Sequence, residues 1–160
     1  PSNALYAEVV HQLAGFVAAA GRAGVAVRYV KPHGAMYNQA AADPAFANVV
    51  CSAVANWDLP VVCLPGSRVE TTCELFQMPF VAEGFADRRY RPDGSLVPRA
   101  EPDAFVHDPG EAVEQIERLV RDRGVRTVCV HGDNPEAVAF TAAVRDGLLA
   151  RGFTLRAFAA

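Results

Sequence analysis

Short apolar runs alternate with longer helical patterns along this 160-residue chain, and that alternation restricts the possible folds most. Apolar runs typical of strands buried on both faces lie at residues 25–30, 59–64, 80–82, 125–130 and 153–158. Apolar residues recur at helical spacing at residues 2–23, 43–57, 67–77, 109–123 and 135–152. Strands and helices in alternation predict an α/β protein whose parallel strands are joined by right-handed crossovers.

Capping residues mark several predicted helix starts. Asp43 precedes a proline at the first helical position, Ser67 and Glu70 have the spacing of a capping box, and Asp108 again precedes a proline. Between them, residues 91–108 contain turn residues and prolines that block regular structure. An irregular connection of this length is typical of a lid, a binding loop or a disordered segment.

Composition restricts the class of partner. A net charge of −3 and the lack of any Lys/Arg cluster argue against binding to nucleic acid or to acidic membrane surfaces. The sequence shows no secretory signal pattern and no apolar run of about 18 residues, so we expect a cytoplasmic protein without a membrane segment. With about half of its residues hydrophobic, residues 1–160 are predicted to form one domain.

The four cysteines are predicted to be small buried hydrophobic residues. Cys51, Cys63, Cys73 and Cys129 form no C-x-x-C pair, and each lies within an apolar segment. This pattern favours burial over a zinc site or a disulfide framework.

Chemically active side chains follow four of the predicted strands. In a parallel sheet the carboxyl ends of the strands share one edge, which is where such folds bind ligands. The sequence therefore predicts one candidate site built from Lys31, His33, Gly34, Gly66, Ser67, Glu83, Asp87, Arg88, Arg89, His131, Asp133 and Asn134.

These residue types indicate acid–base chemistry on an anionic substrate. His33 and His131 suit proton transfer near neutral pH, and Lys31 can polarise a carbonyl oxygen. Backbone N–H donors at the helix starts after Gly66 and after Asn134, together with the arginines, favour a substrate carboxylate or a phosphate. No G-x-S-x-G elbow is present and no cysteine directly follows a strand, so the residues predict no nucleophile.

Structural roles remain open for several of these residues. Asp133 and Asn134 also suit helix capping, and Glu83 suits an ion pair with Arg88 or Arg89. The lysine and histidine of the first loop are alternatively solvated side chains without a function.

No metal site is predicted. A divalent cation held by His33, His131, Asp87 and Asp133 is chemically possible, but these residues come from separate segments with no ligand spacing to test. The G-x-x-x-x-G-K-[ST] phosphate-binding loop is absent from the sequence, so ATP binding is not predicted from the residues themselves.

The strand-end motifs together resemble the LamB/YcsF family, which comprises the A subunits of 5-oxoprolinase. The matching stretches are VKPHGAMYN at residues 30–38, LPGS at 64–67, EGFADRRY at 83–90 with DGSLVPR at 93–99, and CVHGDNP at 129–135. The resemblance runs from about Leu5 to the C-terminus and corresponds to the C-terminal two-thirds of the family.

The resemblance implies a distorted (β/α) barrel of the glycoside hydrolase/deacetylase type. It also implies ATP-dependent opening of the lactam 5-oxo-L-proline to L-glutamate, with ATP as a co-substrate whose use is shared with the partner subunits B and C of 5-oxoprolinase.

Roles for individual residues follow from the same resemblance. We expect Lys31 and His33 to act at the lactam and Arg88 or Arg89 to hold the substrate carboxylate. We expect the proton relay to consist of Asp87, His131 and Asp133. The remaining substrate-binding residues are expected to be Gly34, Tyr37, Asn38, Gly66, Ser67, Glu83 and Asn134.

The chain departs from the family pattern at its start. Family members carry a further N-terminal portion with DLNCD-like and GFH-like motifs, so we expect the N-terminal strands of the barrel to be missing from this chain. The connection at residues 122–125 also looks shorter than is usual in the family.

Three alternative functions remain: a metal-dependent deacetylase-like hydrolase, a carbohydrate-acting hydrolase on the same fold, and an inactive fragment that binds a partner. The sequence also leaves open whether the chain forms a homo-oligomer.

Overall fold

A computed structural model describes residues 2–158, which contain six α-helices and three β-strands. The helices are α1 (Ser2–Arg22), α2 (Gly34–Ala42), α3 (Pro44–Val54), α4 (Arg68–Leu75), α5 (Pro109–Arg123) and α6 (Ala137–Ala150). The strands are β1 (Val61–Cys63), β2 (Phe80–Phe85) and β3 (Thr127–Cys129), and a 3-10 helix covers Ala55–Trp57. The described chain divides into two compact units at residue 81, within β2. The single barrel domain stays a prediction.

The strands are parallel, which confirms the predicted α/β class. In the first unit, Val30 forms a parallel bridge with Val61, and the Val61 N–H donates to the Pro79 carbonyl just before β2 (2.9 Å). In the second unit, β2 and β3 pair in parallel, with Phe85 opposite Cys129. Side chains that follow these two strands are therefore held at neighbouring positions.

Predicted capping residues start helices in both units. Asp43 Oδ1 accepts hydrogen bonds from the first turn of α3, and Asp108 Oδ1 accepts one from the Glu111 N–H (2.7 Å) at the start of α5. Ser67 Oγ caps α4 by accepting from the Glu70 N–H (3.3 Å), while the Glu70 carboxylate accepts from the N–H of Gly66 (2.6 Å). Local hydrogen bonds thus fix these boundaries where the sequence places them.

Each unit has its own apolar core. In the first unit, α3 contacts α1, α2 and α4. Its buried residues include Val50, Cys51, Ala53, Val54, Val61, Val62, Val69 and Cys73. In the second unit, α5 packs against α6. The buried cluster there consists of Ala86, Val106, Ala112, Val113, Ile116, Val144 and Leu148.

Two predicted strands are wrong. Residues 25–29 and 153–158 form no strand, and residues 25–30 are bridged only at Val30 within the described chain. Val25 and Leu155 are exposed. An apolar run becomes a strand only when the backbone of a neighbouring segment supplies its hydrogen bonds along the whole run.

Two further boundaries differ from the predictions. The loop expected after residue 30 gives way at Gly34 to α2, and the φ of +58° at Gly34 turns the chain into that helix. Helix α6 begins at Ala137 rather than at residue 135, and Val138 near its start is 84% exposed.

Strand β2 extends beyond the predicted residues 80–82 into the polar segment that follows them. Glu83 and Gly84 belong to β2 and are buried. Close packing favours glycine here, because a Cβ on Gly84 would lie only 3.1 Å from Leu119 Cδ1 and 3.2 Å from Val125 Cγ1.

Residues 91–107 lie within the predicted irregular connection at 91–108. Two antiparallel bridges, Arg88 to Phe105 and Tyr90 to Leu96, pair this segment with the residues that follow β2. Cys51, Cys63 and Cys73 are buried thiols outside any disulfide, as predicted, whereas Cys129 is only half-buried. Within residues 2–158, no helix combines the length and hydropathy needed to span a membrane.

Candidate active site

The pairing of β2 with β3 brings Asp87 and His131 together. Phe85 lies opposite Cys129, and the Ala86 N–H donates to the Cys129 carbonyl (3.0 Å). Two residues beyond each strand, His131 Nδ1 lies 2.7 Å from Asp87 Oδ2, and the His131 N–H donates to the same oxygen (3.2 Å). The predicted meeting of strand ends is therefore found for this pair.

The pair is shielded from solvent, and one face of the imidazole lies against an aromatic ring. Asp87 is 7% exposed, and the Phe85 ring stacks on the His131 imidazole with 5.5 Å between ring centroids. Asp87 Oδ1 is also buried and has no hydrogen-bond partner among the described residues. A carboxylate at Nδ1 fixes the orientation of the ring, and Nε2 is then the nitrogen left to exchange a proton with a ligand.

The backbone on either side of Asp87 is held by two side chains that we did not predict as site residues. Gln115 on α5 donates from Nε2 to the carbonyls of Phe85 and Arg88, both at 2.9 Å. The Tyr90 hydroxyl accepts from the Phe85 N–H (2.7 Å). Burial, with a smaller contribution from the charge of Glu83, raises the pKa of Tyr90, so the hydroxyl stays neutral. No sequence pattern singles out Gln115, which lies within a regular helix.

Hydrogen bonds within the protein engage both arginines that follow β2. Arg88 is 5% exposed and donates to the carbonyls of Ala104 (3.3 Å) and Val97 (2.5 Å). Burial and the nearby charge of Arg99 lower the pKa of Arg88. Arg89 forms a two-point ion pair with Glu111, and that hydrogen bond raises the pKa of Arg89. Their predicted role in holding a substrate carboxylate stays a prediction.

The residues after His131 have partners of their own. Asp133 Oδ2 lies 3.1 Å from Arg99 Nη1, and this hydrogen bond lowers the pKa of Asp133. Asn134 Oδ1 accepts from the Glu136 N–H (3.0 Å) in the turn before α6. Asn134 thus stabilises the turn before α6 and is not its cap, because Glu136 holds the N-cap position. Arg99 was not predicted as a site residue, because residues 91–107 have no periodicity that would indicate where its side chain lies.

The remaining predicted residues lie in the first unit. Lys31 Nζ lies 5.9 Å from the centroid of the buried Tyr37 ring, and His33 is an exposed residue at the N-cap position of α2. Asn38 Nδ2 donates to the Gly34 carbonyl (3.3 Å).

The turn before α4 contains the last two predicted residues. The φ of Gly66 is +77°, and the adjacent Ser67 is the buried cap of α4. Each unit thus contains a local set of predicted residues, and the convergence of all four motifs on one site stays a prediction.

In the described part of the chain, no three His, Cys, Asp or Glu side chains form a group that could hold a metal ion. The donor set around Asp87 and His131 is one carboxylate and one imidazole bonded to each other, which suits proton transfer.

Comparison with known proteins gives the family. The family model of the LamB/YcsF family matches residues 1–160, and the chain belongs to this family. A relative from Kocuria rhizophila, named as the A subunit of 5-oxoprolinase, is 41% identical over 166 positions that cover 95% of this chain and 66% of the relative. The protein of the same name from Neisseria meningitidis is 42% identical, in a match that covers 92% of this chain and 66% of that protein. The chain thus spans about two thirds of the length of these relatives.

A solved structure agrees with this result. The crystal structure of a lactam utilization protein from Thermus thermophilus is similar to this chain with a TM-score of 0.84 at 34% identity. The match covers 98% of this chain and 68% of that protein. The family membership expected from the strand-end motifs is confirmed.

Proposed function

We propose that this chain belongs to an ATP-dependent 5-oxoprolinase and opens the lactam of 5-oxo-L-proline to give L-glutamate. The names of its relatives support this role. The observation that carries the proposal is the Asp87–His131 pair, in which a buried carboxylate orients a half-buried imidazole at the ends of two adjacent parallel strands. Lactam opening needs such a group, because the ring nitrogen must gain a proton as its bond to carbon breaks.

The chemistry also explains the requirement for ATP. An amide carbon is a poor electrophile, and transfer of the γ-phosphoryl group of ATP to the lactam oxygen, with release of ADP, activates that carbon for addition of water. Protonation of the ring nitrogen then breaks its bond to the carbon and leaves an acyl phosphate of glutamate, which a second water hydrolyses to L-glutamate and inorganic phosphate. We propose that His131 exchanges protons with the water and the ring nitrogen, that Asp87 orients His131, and that Asp133 completes the relay. Lys31 and His33 keep their predicted role at the lactam.

The proposal also covers the partner subunits, the type of barrel and the cellular location. The sequence contains no phosphate-binding loop, so we propose that ATP is used together with 5-oxoprolinase subunits B and C. We further propose that the parallel strands belong to a (β/α) barrel of the glycoside hydrolase/deacetylase type, and that the enzyme acts in the cytoplasm.

The test is ATP-dependent formation of glutamate by this chain combined with subunits B and C. We expect His131→Gln and Asp87→Asn each to lower kcat by roughly 10²- to 10⁴-fold, the usual contribution of a positioned acid–base group. The matched control is His11→Gln, because His11 is exposed on α1, and this variant is expected to keep the full rate. Wild-type rates in both site variants would contradict the proposal.

The same assay separates the alternatives. Lactam or amide cleavage that needs a divalent metal and no ATP would favour a deacetylase-like hydrolase. A complex that assembles but forms no glutamate would favour a partner-binding role. Lys31→Ala and His33→Ala test the first unit, and undiminished glutamate formation in both would remove these residues from the mechanism.

A further inference from the structure

We infer that Arg99, rather than Arg88 or Arg89, binds the carboxylate of the substrate. This inference rests on the proposed function, because it concerns the group that distinguishes 5-oxo-L-proline from an unsubstituted lactam. It follows from the position, exposure and partners of these three arginines, all of which lie in the second unit.

Arg99 and Arg88 lie against one aromatic ring. Arg99 Cζ is 5.7 Å and Arg88 Cζ is 5.3 Å from the centroid of Phe105. Contact with the ring restricts both side chains, and the two positive charges are close enough for Arg99 to lower the pKa of Arg88. Two guanidinium groups around one ring create a positive potential that favours an anion.

Only one of these two guanidinium groups is accessible. Arg88 is almost fully buried and donates to backbone carbonyls, whereas the Arg99 side chain is 48% exposed. Arg89 is engaged at two points by Glu111. Arg99 therefore has the most accessible guanidinium group of the three.

The partner of Arg99 is replaceable. Its Nη1 bonds to Asp133, whose side chain is 64% exposed, and exposed ion pairs add little stability. A guanidinium has five N–H donors arranged to receive a carboxylate at two points. A substrate carboxylate can thus bind Arg99 in the place of Asp133, or beside it, at little energetic cost.

The location of Arg99 fits the chemistry of the substrate. Asp133 is two residues from His131, and the charge of His131 contributes to the lowered pKa of Asp133, so these groups are within electrostatic reach of each other. In 5-oxo-L-proline the carboxylate is attached to the carbon next to the ring nitrogen. Binding of the carboxylate at Arg99 therefore directs the ring nitrogen, which must gain a proton, toward the Asp87–His131 pair.

The test compares Arg99→Gln and Arg99→Lys in the complex with subunits B and C. We expect Arg99→Gln to raise the KM for 5-oxo-L-proline roughly 10- to 100-fold, as for loss of a hydrogen bond to a charged group, and Arg99→Lys to raise it less. The matched control is Arg121→Gln, since Arg121 is an exposed arginine that pairs with Asp122 at 2.9 Å. This control should keep the wild-type KM.

A neutral lactam separates binding of the carboxylate from a structural role. The inhibition constant of 2-pyrrolidinone, which lacks the carboxylate, should be the same for wild type and Arg99→Gln. Equal weakening of both lactams, or a KM for 5-oxo-L-proline within twofold of the control, would overturn the inference.

Calorimetric titration with 5-oxo-L-proline distinguishes this inference from the proposed function. If the wild-type complex binds 5-oxo-L-proline without ATP-dependent turnover, the proposed function fails, while a higher Kd in Arg99→Gln would still support the role of Arg99. If wild type turns over and Arg99→Gln binds as tightly, only the inference fails. Lack of binding by wild type would overturn both.

Discussion

Gln115→Leu should loosen the backbone that carries Asp87. The substitution nearly preserves volume but removes both hydrogen bonds to the carbonyls of Phe85 and Arg88. Each hydrogen bond contributes about 0.5–1.5 kcal/mol, and a carbonyl left buried without a partner costs about 1–3 kcal/mol. For two carbonyls at a partly buried position we expect a loss of about 2–4 kcal/mol in the free energy of unfolding.

Urea titration followed by far-UV circular dichroism measures this loss. The matched control is Gln12→Leu, because Gln12 is an exposed glutamine on α1 that bonds only to Glu8 (2.7 Å) among the described contacts, and its loss should be about 0.5 kcal/mol or less. We also expect kcat to fall in Gln115→Leu, since Asp87 would hold His131 less firmly. Equal stability of the two variants would refute the reasoning, because it would show that the two carbonyls gain nothing from Gln115.

Three further predictions concern the core, a helix cap and a titration. Ile116→Ala should destabilise the protein by about 2–5 kcal/mol, whereas Val138→Ala should change stability by less than about 0.5 kcal/mol in the same thermal unfolding assay. Asp108→Ala should cost about 1 kcal/mol through loss of the α5 cap, and Asp108→Asn should restore most of that loss. NMR titration should find the Asp133 carboxyl pKa below its usual 3.8, so that the ion pair with Arg99 is complete above that pH and is lost as the pH falls through the lowered pKa. In Arg99→Gln this pKa should return toward 3.8.

The features that the sequence predicted correctly depend on local interactions. The caps at Asp43, Ser67 and Asp108 act within one helical turn, so their residue types alone place α3, α4 and α5. The contact of Asp87 with His131 was also predictable, because both follow strands and parallel strands end at the same edge.

The features that were missed depend on distant neighbours. Residues 25–30 and 153–158 have the composition of strands, but a strand needs the backbone of another segment, and composition does not reveal which segments lie side by side. Strand β2 extends past the predicted residues 80–82 to include the charged Glu83, because the packing around the strand encloses that residue. The position of Arg99 depends on how residues 91–107 fold back onto the Phe105 ring, which no local pattern specifies.

The register of β2 and β3 gives the second unit a direct link between folding and activity. The same backbone alignment that places Phe85 beside Cys129 places Asp87 beside His131, and the hydrogen bond from Ala86 to Cys129 lies between these two contacts. Any local opening that separates the strands at this end must also separate the carboxylate from the imidazole. The opened fraction, measurable by hydrogen exchange at the Ala86 amide, therefore sets a lower limit on the fraction of molecules in which the pair is broken.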